Sequence, residues 1–473
     1  MADYDLIIIG TGSGNSLVTE DFADKKVAVV ERGTFGGTCL NVGCIPTKMF
    51  VYAAEVATTI RDASRFGVDA TLDRVRWPDI RDRVFGRIDP ISEGGRDYRV
   101  NGPNTEAYLG HATFVGEREV EVEITSPGGK HAVGEKVRIT GEQIVIATGS
   151  RATIPDVIES SGVPFETSDT VMRLAELPRS MAIVGGGVIG AEFAHVFSAL
   201  GVQVTQVQRG DRLLHRLDAE VGTLFTQQAQ QQWDLRLNTQ ITGATVTQPG
   251  ADGGGADGGG AGVRLELTQG DPLEVDVVLV ATGRRPNSDG MGLEVVGVQT
   301  HSDGRVVVDD HGRATADGVW ALGDVSAPVQ LKHLANHEAR VVAHNLVHPE
   351  DLQSFVHTNV PAAVFSHPQV ATVGLTEEEA RAGGHDVTVK MQRYGDTAYG
   401  WAMEDTTGVV KLIGDASTGL ILGAHFMGPH ASTLIQTVIH AMSFAQPAQQ
   451  VAKEQFWIHP ALAEVVENAL LGL

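Results

Sequence analysis

Ile7-Ile8-Ile9-Gly10-Thr11-Gly12-Ser13-Gly14 opens the chain, and Met181-Ala182-Ile183-Val184-Gly185-Gly186-Gly187-Val188-Ile189-Gly190 repeats the pattern near its middle. In both, an apolar run ends in closely spaced glycines. A helical stretch and a second apolar run follow: Val27 to Val30 with Glu31 after the first, Ala191 to Leu200 and then Val202 to Val207 after the second. Strand, tight turn, helix, strand is the βαβ nucleotide-binding unit. One such turn is weak evidence, because glycine serves any tight turn. Two copies in the same setting are strong. Gly10 makes the first turn. Gly12, with Gly14 in the same site, lets the backbone reach a pyrophosphate at a helix N-terminus, where free N–H groups and the dipole favour anions. Glu31 stands where a carboxylate takes ribose hydroxyls. Asn15 replaces the third glycine, which predicts a slightly altered helix packing with phosphate binding retained.

The second turn assigns Gly185, Gly187 and Gly190 to another dinucleotide. Its ribose position carries Gln208, with Arg209 and Arg212 just beyond. A carboxylate there would repel a 2′-phosphate, whereas guanidinium grips phosphate with a bidentate fork. NADPH is therefore favoured over NADH, although exposed loop arginines would look the same. Two further apolar runs end in Ala-Thr-Gly, Ile144 to Gly149 and Val277 to Gly283. They read as strands closing each unit, with Thr148, Gly149 and Gly283 where the chain passes close to a ligand. The Gly/Ala/Asp stretch Gly250 to Gly262 reads as a flexible hairpin tip. From about residue 346 the pattern becomes β-like runs (Ala362 to Phe365, Val409 to Ile413, Leu420 to Phe426) and then helices (Ser432 to Phe444, Ala461 to Leu471).

Between the turns lies Gly36-Gly37-Thr38-Cys39-Leu40-Asn41-Val42-Gly43-Cys44-Ile45-Pro46-Thr47-Lys48, which holds the only two cysteines of the chain. Thiols this close can form a small-ring disulfide. Gly37 and its neighbours admit a flat ligand, and Lys48 supplies a cation. Two cysteines packed as small hydrophobes would show the same spacing. In a reducing cytosol, however, such a pair is more often redox-active than structural. The start of the chain shows no basic and apolar leader, and no apolar run approaches the roughly 20 residues that span a bilayer. A cytoplasmic protein is the expectation. A net charge of −23 argues against nucleic acid or an anionic membrane as partner.

Together these motifs resemble the flavin-dependent pyridine nucleotide–disulfide oxidoreductases, the group of glutathione reductase and dihydrolipoyl dehydrogenase. The resemblance covers essentially the whole chain, including Ala321-Leu322-Gly323-Asp324 and the tail His459-Pro460 with Glu464. It implies an α/β fold: two Rossmann-like domains for FAD and NADPH, then an α+β dimerisation domain. The expected division is 1–152 and 285–345 for FAD, 153–284 for NADPH and 346–473 for the interface. It further implies that Asp324 holds the flavin ribitol and that Lys48 pairs with Glu192 beside the flavin. Cys44 would face the flavin and Cys39 would attack a small-molecule disulfide. His459, held by Glu464, would be the acid–base in the partner subunit's site of a homodimer.

Within the family, the stretches from Gly36 to Glu55, at Gly10 to Asn15 and at Trp457 to Leu462 resemble the branch acting on a sugar-linked thiol. Asn15 to Asp21 carries no cation to pair a carboxylate-bearing substrate, which agrees with that branch. The chain ends Leu470-Leu471-Gly472-Leu473 without a further cysteine pair. Val188 stands where relatives carry an aromatic gate. A dihydrolipoyl dehydrogenase, or a flavoprotein sensor without catalysis, would share much of this pattern.

Overall fold

The computed structural model describes residues 2–247 and 262–473. The chain divides into two units. Met1–Met49, Pro78–Thr153 and Arg284–His357 form the first; Phe50–Trp77, Ile154–Gly283 and Thr358–Leu473 form the second.

In the first unit the strands Thr105–Tyr108, Val27–Val30 and Tyr4–Ile9, the end of Lys136–Ile146, and Val319–Ala321 pair in parallel. The other end of Lys136–Ile146 pairs antiparallel with Glu119–Ile124, which pairs with Gly110–Gly116. Side chains alternate with period two across the parallel strands. Ile7, Ile9, Ala28, Val30, Ile144 and Ile146 enter one apolar cluster, and Leu6, Ile8, Val27, Val29 and Val145 enter another. A parallel strand covered on both faces must be apolar throughout, and Val27–Val30 is buried at every position.

The first glycine turn departs from expectation. No α-helix follows it; the chain makes two 3₁₀ turns instead, Gly14–Leu17 and Glu20–Phe22. Arg99, buried on the long helix Trp77–Asn101, holds this turn. Its Nη2 donates to the Asn15 carbonyl at 3.0 Å and its Nε to Asn15 Oδ1 at 2.8 Å. No extended helix dipole stands at this turn, so any phosphate there relies on the N–H groups of the turn itself.

The second unit begins its nucleotide sheet as expected. Asp234–Arg236, Gln203–Val207, Ser180–Val184, Val277–Val280 and Glu166–Thr167 pair in parallel in that order. The second glycine turn leads into a full helix, Val188–Ala199. Ile241–Val246 and Val263–Leu267 pair antiparallel on either side of the Gly/Ala/Asp stretch, whose expected hairpin tip lies outside the described residues. The C-terminal part is an antiparallel sheet in the order Ala362–Val364, Val370–Gly374, Ile421–Met427, Val409–Asp415, Val387–Arg393. Helices Gln436–Ser443 and Ala463–Leu471 bury one side each in its core. Two nucleotide-type α/β sheets and an α+β C-terminal part are thus the observed fold class.

A buried charge cluster binds the second unit internally. Lys411, 3% exposed, reaches Asp218 at 3.0 Å, Glu220 at 3.1 Å and Glu377 at 2.8 Å. Asp218 also caps the helix Ala219–Ala229 through the N–H groups of Glu220 and Val221. Burial pushes the Asp218 carboxyl up, but the Lys411 ammonium and the charge of His425 outweigh it and hold it below its ordinary value. The Lys411 hydrogen bond chiefly depresses Glu377.

Lys411→Met is expected to destabilise the protein by about 3–5 kcal/mol, because it strands a buried carboxylate. A depressed carboxylate stabilises the fold above its unfolded pKa, and that contribution is lost as pH falls through its folded value. Urea titrations at neutral and acid pH should therefore show a steeper loss below about pH 4 for the wild type than for the variant. Parallel acid limbs would show that the cluster has no such role.

Candidate active site

Cys39 lies on the short helix Gly37–Asn41 and Cys44 starts the helix Cys44–Asp62. The turn between them folds back tightly. A Cβ on Gly43 would lie 2.9 Å from the Thr38 carbonyl oxygen and 3.3 Å from Cys39 Cα, so only glycine permits the return. Cys39 is half-buried and Cys44 exposed in the single chain. The two sulfurs are in hydrogen-bond contact. This contact, then burial and the charge of Cys44, push the Cys39 thiol up, and the ammonium of Lys332 opposes them. Of a reduced pair held this way, one sulfur ionises while the other keeps the shared proton. Lys48 follows Cys44 one helical turn later, on the same face.

This loop sits directly on the first glycine turn. A Cβ on Gly37, whose φ is +66°, would lie 2.6 Å from Gly12 Cα, and one on Gly10 would lie 2.3 Å from the Ala147 carbonyl oxygen. A Cβ on Gly14 would strike Ile8 and Ala147. Backbone meets backbone here without side chains, the kind of cradle a dinucleotide pyrophosphate requires. Glu31 is built into the same cradle. Its Oε2 accepts from Thr11 N at 2.8 Å and Thr11 Oγ1 at 2.6 Å, and its Oε1 from Gly33 N at 2.7 Å. Each carboxylate oxygen has two acceptor sites, so Oε2 is filled and Oε1 keeps one for a ribose hydroxyl. Thr148 Oγ1 donates to the Asn287 carbonyl at 2.8 Å, and Gly149 has a φ of +70°.

Asp324 accepts from Ser150 Oγ at 2.7 Å, and Ser150 in turn accepts from Arg284 Nε at 2.9 Å. Just behind, buried Glu338 accepts from Gly323 N at 2.7 Å and pairs with His357 Nε2 at 2.8 Å. Burial pushes the Glu338 carboxyl up, only partly offset by Gly323 N–H and His357. The residues present therefore fit FAD: glycine turns for the pyrophosphate, Glu31 for the ribose, a held carboxylate at Asp324 and two thiols.

In the second unit, Gly185 has a φ of +123° and packs on the Ala281 carbonyl, and Gly190 lets the helix approach Gly185. Around Gly187 and Gly283 an added Cβ would meet nothing within 4 Å, which leaves backbone open to a ligand. Gln208 is buried and its amide donates to the Arg212 carbonyl at 3.3 Å, so it shapes the loop. Arg209 is exposed and Arg212 half-buried. His215 and Arg216 extend this basic loop. Burial, then Arg216, Arg209 and Arg212, push the His215 imidazole down. The sequence reading stopped at Arg212, although the run Arg212-Leu213-Leu214-His215-Arg216 already held the signal. Glu192, buried on the helix after this turn, accepts from Phe365 N at 2.9 Å.

At the C-terminus, His459 Nδ1 lies 2.6 Å from Glu464 Oε1, and Ala461 N donates to Glu464 Oε2 at 3.1 Å. The His459 hydrogen bond holds the Glu464 carboxyl below its ordinary value. An ionised carboxylate only accepts, so Nδ1 carries the proton and Nε2 points outward with its lone pair or proton. The imidazole is well exposed, 71% of its side chain. The first unit holds the cysteines and Lys48; the second holds Glu192 and the His459–Glu464 pair.

Adjacent thiols in contact with a dinucleotide turn, in a chain that also carries a second dinucleotide sheet, suit electron-pair exchange between a pyridine nucleotide and a disulfide. The chain belongs to the pyridine nucleotide-disulphide oxidoreductases: the family matches residues 4–343, and its dimerisation domain matches residues 360–470. It is an enzyme, a flavoprotein disulfide reductase that uses FAD and NADPH. It is 55% identical to a mycothione reductase of Mycobacterium tuberculosis, over 100% of both chains. A glutathione reductase of Burkholderia cepacia is 33% identical, over 98% of this chain and 97% of its own. Among solved structures, the Cu(II) complex of the HOCl-induced flavoprotein disulfide reductase RclA from Escherichia coli is similar. It superposes with a TM-score of 0.84 at 28% identity, over 100% of this chain and 99% of that one. Among the described residues no helix is long and apolar enough to cross a membrane.

Proposed function

We propose that this enzyme reduces mycothione to mycothiol in the cytoplasm, as a homodimer whose two active sites are shared between subunits. The observation that carries the reading is the Cys39–Cys44 pair, in hydrogen-bond contact on a loop packed against the nucleotide-binding glycine turn. The mycothione reductase relative supports the substrate, and the dimerisation-domain match supports the assembly. The same proposal assigns 1–152 and 285–345 to FAD, 153–284 to NADPH and 346–473 to the interface.

Bound FAD supplies a two-electron relay between nicotinamide and disulfide. Gly10, Gly12, Gly14, Glu31, Gly37, Thr38, Thr148, Gly149 and Asp324 hold it, with Lys48 and Glu192 as a charged pair at its reactive edge. The protein then works through its own side chains. Cys39, as thiolate, attacks one sulfur of the substrate; a Cys39–substrate disulfide forms and the substrate S–S bond breaks. The departing thiolate takes a proton from His459 Nε2, and Glu464 stabilises the imidazolium while it exists. Cys44, as thiolate, then attacks Cys39, restoring their disulfide and releasing the second half as a thiolate that takes up a proton from solvent. NADPH turnover by the purified protein with mycothione, glutathione disulfide and lipoamide tests the assignment. Reduction of lipoamide alone, with NADH preferred, would overturn it in favour of a dihydrolipoyl dehydrogenase.

Gly185, Gly187, Gly190 and Gly283 hold NADPH, with Gln208, Arg209 and Arg212 at its 2′-phosphate. Replacing both arginines with neutral residues should raise the KM for NADPH by about ten- to a hundredfold, that is about 1.4–2.8 kcal/mol for the two charge-assisted contacts together. The KM for NADH should hardly move. Equal use of both cofactors by the wild type would rule out this discrimination.

A further inference from the structure

We infer that Lys332 is a further charged member of the redox centre, a positioning residue whose tethered ammonium holds negative charge on the Cys39 sulfur. Lys332 begins the helix Lys332–Val347, distant in sequence from both cysteines. Its Nζ donates to Ser13 Oγ at 2.9 Å. Ser13 stands between Gly12 and Gly14 of the first glycine turn, and Gly12 is the residue whose Cα lies 2.6 Å from a Cβ built on Gly37. Gly37 opens the short helix that carries Cys39. A continuous series of contacts, all inside the first unit, thus fixes the ammonium in the corner that holds the Cys39 loop. The charge balance at the sulfur agrees. The Cys44 side-chain hydrogen bond, burial and the Cys44 charge raise the Cys39 thiol; Lys332, the one cation among these influences, acts against them, followed by the Cys44 backbone N–H.

The chemistry at Cys39 gives this arrangement its use. The thiolate is the nucleophile, so a thiol whose neighbours raise it is mostly silent at neutral pH. An opposite charge a few ångström away shifts such a group by about one to three units. Lowering the thiol in this way costs some intrinsic nucleophilicity, with a Brønsted slope of about 0.4–0.5, so the gain in thiolate outweighs the loss. The tether to Ser13 matters because a free lysine side chain would swing into solvent, where its field is screened. Lys48 lies on the helix that starts with Cys44; Lys332 reaches the pair from the glycine-turn side.

The inference rests on Cys39 being the attacking sulfur. Its test is the pH dependence of iodoacetamide labelling of the two-electron-reduced holoenzyme, with the labelled cysteine identified by peptide mass. In Lys332→Met the midpoint of the rate profile should move up by about one unit relative to wild type. Lys332→Arg should restore it, and Ser13→Ala, which keeps the lysine but cuts its tether, should move it part of the way. Labelling at Cys39 with an unmoved midpoint in Lys332→Met overturns the inference alone. Labelling at Cys44 in place of Cys39 overturns the reading of the attacking sulfur and the inference with it. If Lys332→Met fails to retain FAD, Ser13→Ala decides: an unmoved midpoint there overturns the inference.

Discussion

Cys39→Ser is expected to lower NADPH-dependent disulfide reduction by at least about a thousandfold, while the purified protein stays yellow with bound FAD. A serine hydroxyl is a far weaker nucleophile than a thiolate and forms no exchangeable bond to sulfur. Cys44→Ser should lose turnover to a similar extent for a different reason, since Cys39 would then be trapped on half the substrate. The two variants separate in their spectra. With Cys39 replaced, Cys44 is the remaining sulfur and should give a long-wavelength thiolate–flavin absorption without any reductant. With Cys44 replaced, that absorption should be missing even after reduction. A band retained in Cys44→Ser would reverse the assignment of the two sulfurs.

His459→Ala should cost about 10²- to 10⁴-fold, the usual worth of a positioned acid–base. The sharper result comes from mixing. A Cys39→Ser subunit and a His459→Ala subunit should each be severely impaired as homodimers. On the shared-site proposal, a heterodimer would have one site with the intact cysteines of one chain and the intact imidazole of the other, and one site with both lesions. Turnover should therefore return to about half the wild-type value per dimer, as expected when one of two symmetry-related sites is whole. Heterodimers confirmed by mass but still inactive would show that His459 serves its own chain or has no part in the reaction. Glu464→Gln keeps the shape and removes the charge that stabilises the imidazolium, so its loss should be smaller than that of His459→Ala.

What could be read from the sequence was chemistry carried by neighbours. The thiols of Cys39 and Cys44 and the two glycine turns each lie within one short stretch, so residue type and spacing pointed to them, whereas His459 with Glu464 entered through the family resemblance. The fold class followed because buried parallel strands such as Val27–Val30 are apolar without interruption. The parts that stayed hidden depend on partners distant along the chain. Arg99 holds Asn15 across 84 positions, at the turn where 3₁₀ turns stand in place of the expected first helix. Lys332 meets Ser13 across 319 positions and Lys411 meets Asp218 across 193. Ser150 supports Asp324 across 174, and no local pattern announces it. Glu338 and His357 were missed for the same reason. His215 is different: it lies three residues beyond Arg212 in the same basic run, so its signal is local.

The contact between Gly12 and Gly37 sets a rule for anyone redesigning this enzyme. A methyl group at Gly37 would push on the phosphate turn, so the redox loop cannot be retuned there without disturbing cofactor retention. Libraries aimed at new disulfides should leave both glycines fixed and spread their diversity over side chains that touch neither turn. Sequence drift among descendants of this protein should likewise be frozen at that one crossing, however far the rest of the surface wanders.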